Sequence, residues 1–333
     1  MVATAAASAT GARVFTATSS QGLSYMQEGL YFAAGHRLPV VMAVANRSMG
    51  PPWTILAGHD DSIAQRDVGW IQVYCSRPQE ILDQVIQAYR VAEDHRVLLP
   101  IMVCYEGFAT SHCYEAVEVP SQEEVDSFLP PYRPLFKLDV EDPLIITRFV
   151  EADWWLGFKK LQDEAMEGAK KVIADVDAEY AKRFGRRCGG LLEAYRCEDA
   201  EVAMVTMGNL ALTARLIVDE FRGRGVKAGL IRLRFFRPFP REELVKALEG
   251  VGSICVVERN CSPGGYGGAV FNELRSALYS TGHRPLVIDF LAGMGGRDVT
   301  PVELREMMAA AVKALERGGV EREVNWVYGV RRA

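Results

Sequence analysis

A chain of 333 residues that is 49% hydrophobic can bury a sizeable core and has the length of two domains. Its 38 basic and 43 acidic residues leave a net charge of -5 with no long run of either sign, which excludes the basic stripe of a nucleic-acid-binding protein. The longest apolar runs, 38–45 and 97–104, are too short to cross a bilayer, so the chain reads as soluble, with buried strands and no membrane partner.

The first eleven residues are Ala-rich without a basic start or a leucine-rich stretch, so they read as a helix ending at Gly11 and not as a signal peptide. Arg13, Val14 and Phe15 have strand character, and Leu23, Met26, Leu30 and Tyr31 then recur at helical spacing up to Gly35. Between them lies Thr16-Ala17-Thr18-Ser19-Ser20-Gln21-Gly22-Leu23, a strand-to-helix junction built of small hydrogen-bonding residues. In a parallel α/β sheet, ligands gather at such strand ends, where helix N-termini present unpaired N–H groups. The junction is a candidate ligand-binding turn, and the residues alone do not name the ligand.

Residues 39–45 form a continuous apolar strand and 46–53 an irregular segment leaving it. Residues 70–74 read as a strand, 78–90 as a helix with Ile81, Val85, Ile86 and Tyr89 on one face, and 97–105 as a third strand. That order implies a mainly parallel sheet. The polar stretch 107–143, with Pro120, Pro130, Pro131 and Pro134, is expected to be an extended arm over a neighbouring surface. Residues 154–184 read as a helix connecting the domains. A second alternating block follows, with strands over 202–207, 226–235, 253–258 and 285–290 and helices over 209–222, 241–248 and 268–279. A capping box at Thr300 and Glu303 opens a further helix. The domains are thus expected at 1–150 and 200–318, joined by 151–199, with 319–333 a tail or partner contact.

The glycine-rich stretch 262–268 has neither the lysine of a P-loop nor the G-x-G-x-x-G spacing, so it reads as a turn for close packing. The similar stretch 293–298 suggests a contact rim. Arg47, just beyond an apolar strand, has two equal readings: a bidentate grip on a carboxylate, or a structural pair with Asp60, Asp61 or Asp67. His59 reads as a loop-ordering hydrogen bonder ahead of a general acid or base, His36 and His95 as helix C-terminal charges, and Glu106 as surface or interface. The seven cysteines form no C-x-x-C pair, which is poor for zinc or iron–sulfur ligation, and their odd number fits the reducing cytoplasm. With no Ser-His-Asp order, H-E-x-x-H or dinucleotide fingerprint, the residues look like half of a site.

Taken together, the junction 16–23, Leu38-Pro39-Val40-Val41-Met42-Ala43-Val44 with Asn46-Arg47, His59-x-Asp61-Ser62, Asp67-x-Gly69-Trp70-Ile71-Gln72 and Leu99-Pro100-x-Met102-Val103-Cys104 carry a resemblance. It extends through Phe128-Leu129-Pro130-Pro131-Tyr132, Phe236-Arg237-Pro238-Phe239-Pro240 and the stretch from Gly293 to Pro301. The chain resembles the alpha subunit of pyruvate:ferredoxin oxidoreductase and its 2-oxoacid relatives. The resemblance implies a thiamine-diphosphate-binding, pyrimidine-type doubly wound parallel-sheet domain and a smaller transketolase-C-terminal-like α/β domain.

It further implies oxidative decarboxylation of pyruvate to acetyl-CoA with reduction of ferredoxin. The cofactor is thiamine pyrophosphate shared with a beta subunit that holds Mg²⁺, and iron–sulfur clusters reside in partner subunits only. Beta, gamma and delta subunits, ferredoxin, coenzyme A and the 2-oxoacid are the implied partners. Arg47 matches the substrate arginine, Gly50, Trp53 and Ile55 the substrate pocket, and Thr18, Ser19, Ser20, Gln21 and Gly22 the cofactor-facing turn. The family's activating glutamate and its Tyr-Pro-x-Thr-Pro segment fall ahead of the position of Met1, so no catalytic residue is expected within this sequence and the isolated chain is expected to be inactive. The alternatives are a non-catalytic assembly subunit or truncated remnant, and a relative acting on branched-chain or aryl 2-oxoacids.

Overall fold

The computed structural model describes residues 1–328. In chain order its first half runs α1 (Val2–Ala9), β1 (Phe15–Thr18), α2 (Gln21–Tyr25), α3 (Gln27–Gly35), β2 (Val41–Asn46), α4 (Asp60–Ile63), β3 (Ile71–Tyr74), α5 (Pro78–Ala92), β4 (Ile101–Glu106), α6 (Gln122–Phe128) and α7 (Ala152–Phe184). There follow β5 (Leu192–Tyr195), β6 (Val202–Met207), α8 (Leu210–Gly223), β7 (Ala228–Leu233), β8 (Phe235–Arg237), α9 (Arg241–Ala247), β9 (Ser253–Glu258), α10 (Ala269–Tyr279), β10 (Leu286–Leu291), α11 (Pro301–Arg317) and β11 (Val324–Trp326).

Two sheets result, in strand orders β1-β2-β4-β3-β8 and β11-β10-β9-β6-β7-β5. All pairings are parallel except β3 with β8 and β5 with β7. Nearly continuous apolar runs such as Val41 to Val44 and Val202 to Val205 fit strands covered on both faces. The first sheet is covered on one side by α5 and α7, through Ile86, Val91, Ala169, Val172 and Ile173. Its other side shares one continuous core with the second sheet: Met42, Tyr74 and Met102 belong to the same cluster as Val205, Ile231, Ile254 and Phe271. Helices α8 and α11 close the far face of the second sheet.

Several elements differ from the sequence expectation. The apolar run 226–235 divides, because after β7 the chain leaves the second sheet at Arg234, and β8 joins the first sheet beside β3. Arg234 forces the break: it is 1% exposed and turns its guanidinium onto Glu80 and Gln84 of the first domain. The domains therefore share a strand as well as a core. The stretch 107–143 carries α6, whose capping box joins Ser121 and Glu124, so this stretch is not structureless throughout. Helix α7 does more than connect, because Ala165, Ala169, Val172, Ile173, Val176 and Tyr180 are buried over the first sheet. The expected tail contributes β11, paired with β10 at Asp289 to Leu291, while its residues 329–333 lie outside the described residues.

Candidate functional site

The carboxyl ends of β1 and β2 lie side by side, since Thr18 pairs with Val44 at the end of their ladder. Beyond that point Ser19 Oγ donates to Ala45 O at 2.6 Å and accepts from Arg47 Nε at 2.5 Å. Two residues that sequence reasoning placed in one site are thus in direct contact. Ser20 takes φ 51 and ψ -126, a conformation that costs a non-glycine residue about 1–3 kcal/mol unless its surroundings enforce it. Asp61 supplies the enforcement.

The Asp61 carboxylate is fully buried and accepts from Ser20 N–H at 2.9 Å, Arg47 N–H at 3.1 Å, Asn46 Nδ2 at 2.7 Å and Ser62 N–H at 2.8 Å. It ties both strand ends to α4. Burial raises its pKa, and the hydrogen bonds from Asn46, Arg47, Ser20 and Ser62 offset part of that rise. Sequence reasoning considered Asp61 only as a possible partner of the Arg47 side chain; instead it holds the Arg47 backbone.

The three pairs considered for the Arg47 side chain are all absent. Asp67 faces Arg66 and Arg237, and Asp60 Oδ2 accepts from Met49 N–H at 3.4 Å. Among the described residues no acidic side chain lies within 4.0 Å of the half-buried Arg47 guanidinium. Its side chain fits against Gly107, where a Cβ would approach Arg47 Cγ to 2.7 Å. A half-buried cation with most of its donors unspent suits an external carboxylate.

The other expected residues lie on the turn that carries Ser19 and on the loop that follows Arg47. Gln21 accepts from Ser20 Oγ at 2.6 Å through its oxygen, while its buried Nε2 has no partner. A Cβ on Gly22 would come within 2.7 Å of Thr18 Oγ1, so a larger residue there requires the Thr18 side chain to turn away. Gly50, Trp53 and Ile55 lie on the loop after Arg47, but Trp53 and Ile55 are 75% and 60% exposed and form no enclosed wall. Trp53 folds its ring over Gly50 instead, where a Cβ would meet Cε3 at 2.8 Å.

Glu106, expected at a surface or an interface, is fully buried where the two domains meet. Its Oε1 accepts from Asn209 N–H at the start of α8 at 2.9 Å and lies 3.3 Å from His59 Nε2. Burial opposes its charge, but His59, Arg259 and the Asn209 N–H outweigh that and lower its pKa. The buried His59 ring thus reaches out of its loop to the end of β4, and Glu106 pins the first domain to a helix of the second.

The glycine-rich turn 262–268 is filled from within. The opening N–H groups of α10 are taken by Asp289 (Gly268, 2.8 Å), Asn260 (Ala269, 3.0 Å) and Glu258 (Val270, 2.9 Å; Phe271, 3.0 Å). Internal side chains occupy the place a phosphate would take. Burial, followed by the neighbouring Glu258, pushes Asp289 up to about 9, so at neutral pH the pair keeps a proton. Between its ordinary range and about 9 the folded chain binds more protons than the unfolded one, so stability falls as pH rises through that window. Thermal melting from pH 6 to 9 should show this decline, at up to about 1.4 kcal/mol per pH unit, and Asp289→Asn should flatten it. An equally steep decline in the variant would refute the assignment.

Residues 1–178 match the family described as pyruvate flavodoxin/ferredoxin oxidoreductase, thiamine diP-bdg, and residues 200–304 match pyruvate:ferredoxin oxidoreductase core domain II. Pyruvate synthase subunit PorA of Methanothermobacter thermautotrophicus is 43% identical over 98% of this chain and 82% of its own length. The chain belongs to the alpha subunits of the pyruvate:ferredoxin oxidoreductase family. Ketoisovalerate oxidoreductase subunit VorA of Pyrococcus horikoshii is 44% identical over 98% of this chain and 83% of its own.

Two solved structures share the fold at lower identity. A 2-oxoglutarate:ferredoxin oxidoreductase from Magnetococcus marinus aligns with TM-score 0.63 at 14% identity, over 94% of this chain and 55% of that one. A split gene transketolase aligns with TM-score 0.51 at 12% identity, over 94% and 80%. This family member is therefore an oxidoreductase subunit of a multi-subunit complex, and its first domain is of the thiamine-diphosphate-binding kind. The unspent Gln21 amide and the tight turn at Gly22 fit such a cofactor. No helix among the described residues is long and apolar enough to cross a membrane.

Proposed function

We propose that this chain is the alpha subunit of a cytoplasmic, thiamine pyrophosphate-dependent pyruvate:ferredoxin oxidoreductase, converting pyruvate and coenzyme A to acetyl-CoA with reduction of ferredoxin. The observation that carries this reading is the Arg47 guanidinium, held by Ser19 at the strand ends and without an acidic partner among the described residues. When bound, thiamine pyrophosphate supplies a carbon nucleophile for the 2-oxo group and a sink for the electrons released on decarboxylation. Arg47 grips the substrate carboxylate through its outer nitrogens and orients the 2-oxo carbon. Thr18, Ser19, Ser20, Gln21 and Gly22 form the cofactor-facing wall, with Gln21 Nε2 as its free donor. Gly50, Trp53 and Ile55 border the substrate side chain. Asp61 holds the backbones of Ser20 and Arg47 at fixed spacing.

The rest of the machinery belongs to partners: a beta subunit with the diphosphate and its Mg²⁺, gamma and delta subunits, and iron–sulfur clusters held in partner subunits. The first turns of α7 support such contacts, because Trp154, Trp155, Leu156, Phe158 and Leu161 are all exposed there. A second reading, a branched-chain 2-oxoacid as substrate, is favoured by the near-equal identity to the VorA relative.

The deciding experiment is co-expression with the partner subunits, followed by a 2-oxoacid panel with viologen as acceptor. Coenzyme A-dependent viologen reduction fastest with pyruvate is expected. A preference for 3-methyl-2-oxobutanoate selects the second reading, and no turnover of any 2-oxoacid refutes both.

A further inference from the structure

The loop that follows Arg47 is anchored by the second domain. Ser48 N–H donates to Leu56 O at 3.0 Å, which joins the two ends of a compact loop. Onto these joined ends the 293–296 turn brings two backbone donors. Gly295 N–H bonds Ser48 Oγ at 2.8 Å across 247 residues of sequence, and Gly296 N–H bonds Ala57 O at 2.8 Å. Just beyond, His59 N–H donates to Arg259 O at 2.8 Å.

The approach is too close for any side chain between the two segments. A Cβ on Gly296 would stand 2.1 Å from Leu56 Cβ, and within the loop base itself one on Gly58 would stand 1.9 Å from Ser48 Oγ. Gly293, Gly295 and Gly296 all have left-handed backbones, at φ 74, 65 and 74, which glycine adopts without penalty. The tip of the loop is different. Pro51, Pro52, Trp53 and Ile55 are exposed, and Trp53 rests on Gly50 of the same loop.

Arg47 immediately precedes the latched residue Ser48, and its guanidinium is fixed from the other side by Ser19. The loop tip therefore projects from a base held by a turn of the other domain together with two contacts of the first, Ser20 Oγ to Ser48 O at 3.0 Å and Met49 N–H to Asp60 Oδ2 at 3.4 Å. We propose that the 293–296 turn is a specificity-determining element: by holding Ser48 and Ala57 it sets how far Trp53 and Ile55 stand from Arg47, and so which 2-oxoacid side chain the site takes. This rests on the 2-oxoacid reading of Arg47. One methylene in an apolar pocket discriminates substrates by about 10–200-fold, so a loop displaced by the width of a methyl group changes the preference measurably.

The test uses the complex assembled with its partner subunits. Ser48→Ala removes the acceptor of the Gly295 N–H without adding bulk, and Gly296→Ala drives a methyl group into Leu56. Two quantities are read: hydrogen exchange of the amides in 48–58, and the ratio of kcat/KM for pyruvate to that for 3-methyl-2-oxobutanoate. In Ser48→Ala, exchange is expected to rise about tenfold and the ratio to move about fivefold or more, and Gly296→Ala should move it too.

A folded Ser48→Ala complex whose ratio stays within about twofold of wild type overturns the proposal, even with exchange raised. If Gly296→Ala fails to fold, Ser48→Ala decides. If the wild-type complex turns over neither acid, the substrate reading falls, and the exchange measurement alone decides whether the turn holds the loop: unchanged exchange in Ser48→Ala refutes the latch.

Discussion

Replacing Arg47 with alanine in the assembled complex is expected to raise the KM for the 2-oxoacid by roughly 10²- to 10⁴-fold. The range follows from two charge-assisted hydrogen bonds lost from one carboxylate, each contributing about 1.5–3 kcal/mol, with about 1.4 kcal/mol per factor of ten. Because the carboxylate is held in the ground state and through the reaction alike, the loss falls mainly on KM, and kcat changes less. Arg47→Lys restores only part of the affinity, since a single ammonium cannot reproduce the planar fork.

Melting temperature provides the control. The side chain gives one hydrogen bond to protein, from Nε to Ser19, so Arg47→Ala should leave the fold nearly as stable as wild type. Unchanged KM in a folded variant would remove Arg47 from the site. A large loss of stability would return it to a structural role.

The parts of this site that could be read in the sequence are those encoded locally. Thr16 to Thr18 end β1 and Ser19 and Ser20 lead from it into α2, so the position of this polar stretch at a sheet end follows from order alone. Arg47 could be placed at the next strand end in the same way, but its freedom from Asp60, Asp61 and Asp67 could not, because three acidic neighbours in sequence are equally plausible partners. The role of Asp61 was hidden for a related reason. Its donors come from Ser20, Asn46 and Arg47 on two strand ends, and only their juxtaposition shows that one carboxylate serves both.

Thr110 Oγ1, four residues on, donates to Glu106 at 3.3 Å, but the contacts that bury this residue between the domains come from far away in the chain. They are with His59, 47 residues earlier, and Asn209, 103 residues later. Helix α6 is missed when its stretch is read from its prolines alone, without the capping pair Ser121 and Glu124. Strand β11 has no pattern of its own and exists through pairing with β10.

The strand that changes sheets has the same kind of cause, and it carries the second large effect. Glu80 of α5 is buried and accepts from Arg232 Nη1 and Nη2 at 2.8 and 2.6 Å, from Arg234 Nε at 2.9 Å, and from Ser76 N–H and Oγ at 2.8 Å each. Arg232 and Arg234 are 5% and 1% exposed, so this carboxylate neutralises charge that water cannot reach. Burial alone would raise its pKa, but Arg234 and Arg232 overcome that and hold it at about 2, against an ordinary 4.5.

Glu80→Ala leaves Arg232 with the half-buried Glu193, 3.2 Å from its Nε, and Arg234 with the uncharged oxygens of Gln84 and Gly190. Removing one partner from such a buried cluster costs about 3–5 kcal/mol, which in a chain of this size lowers the melting temperature by about 5–10 °C. The acid limb adds a signed check. A carboxyl with a depressed folded pKa stabilises the fold above its ordinary 4.5, and this contribution is lost as pH falls towards 2. Glu80→Gln should therefore lower stability at neutral pH and flatten the decline between pH 4.5 and 2. Because Glu80 lies on the first domain and Arg232 on the second sheet, the same variant should also loosen β8, seen as faster exchange at Phe235 and Phe236. A variant with wild-type melting and wild-type exchange would show that the Glu80 cluster does not hold the two domains together.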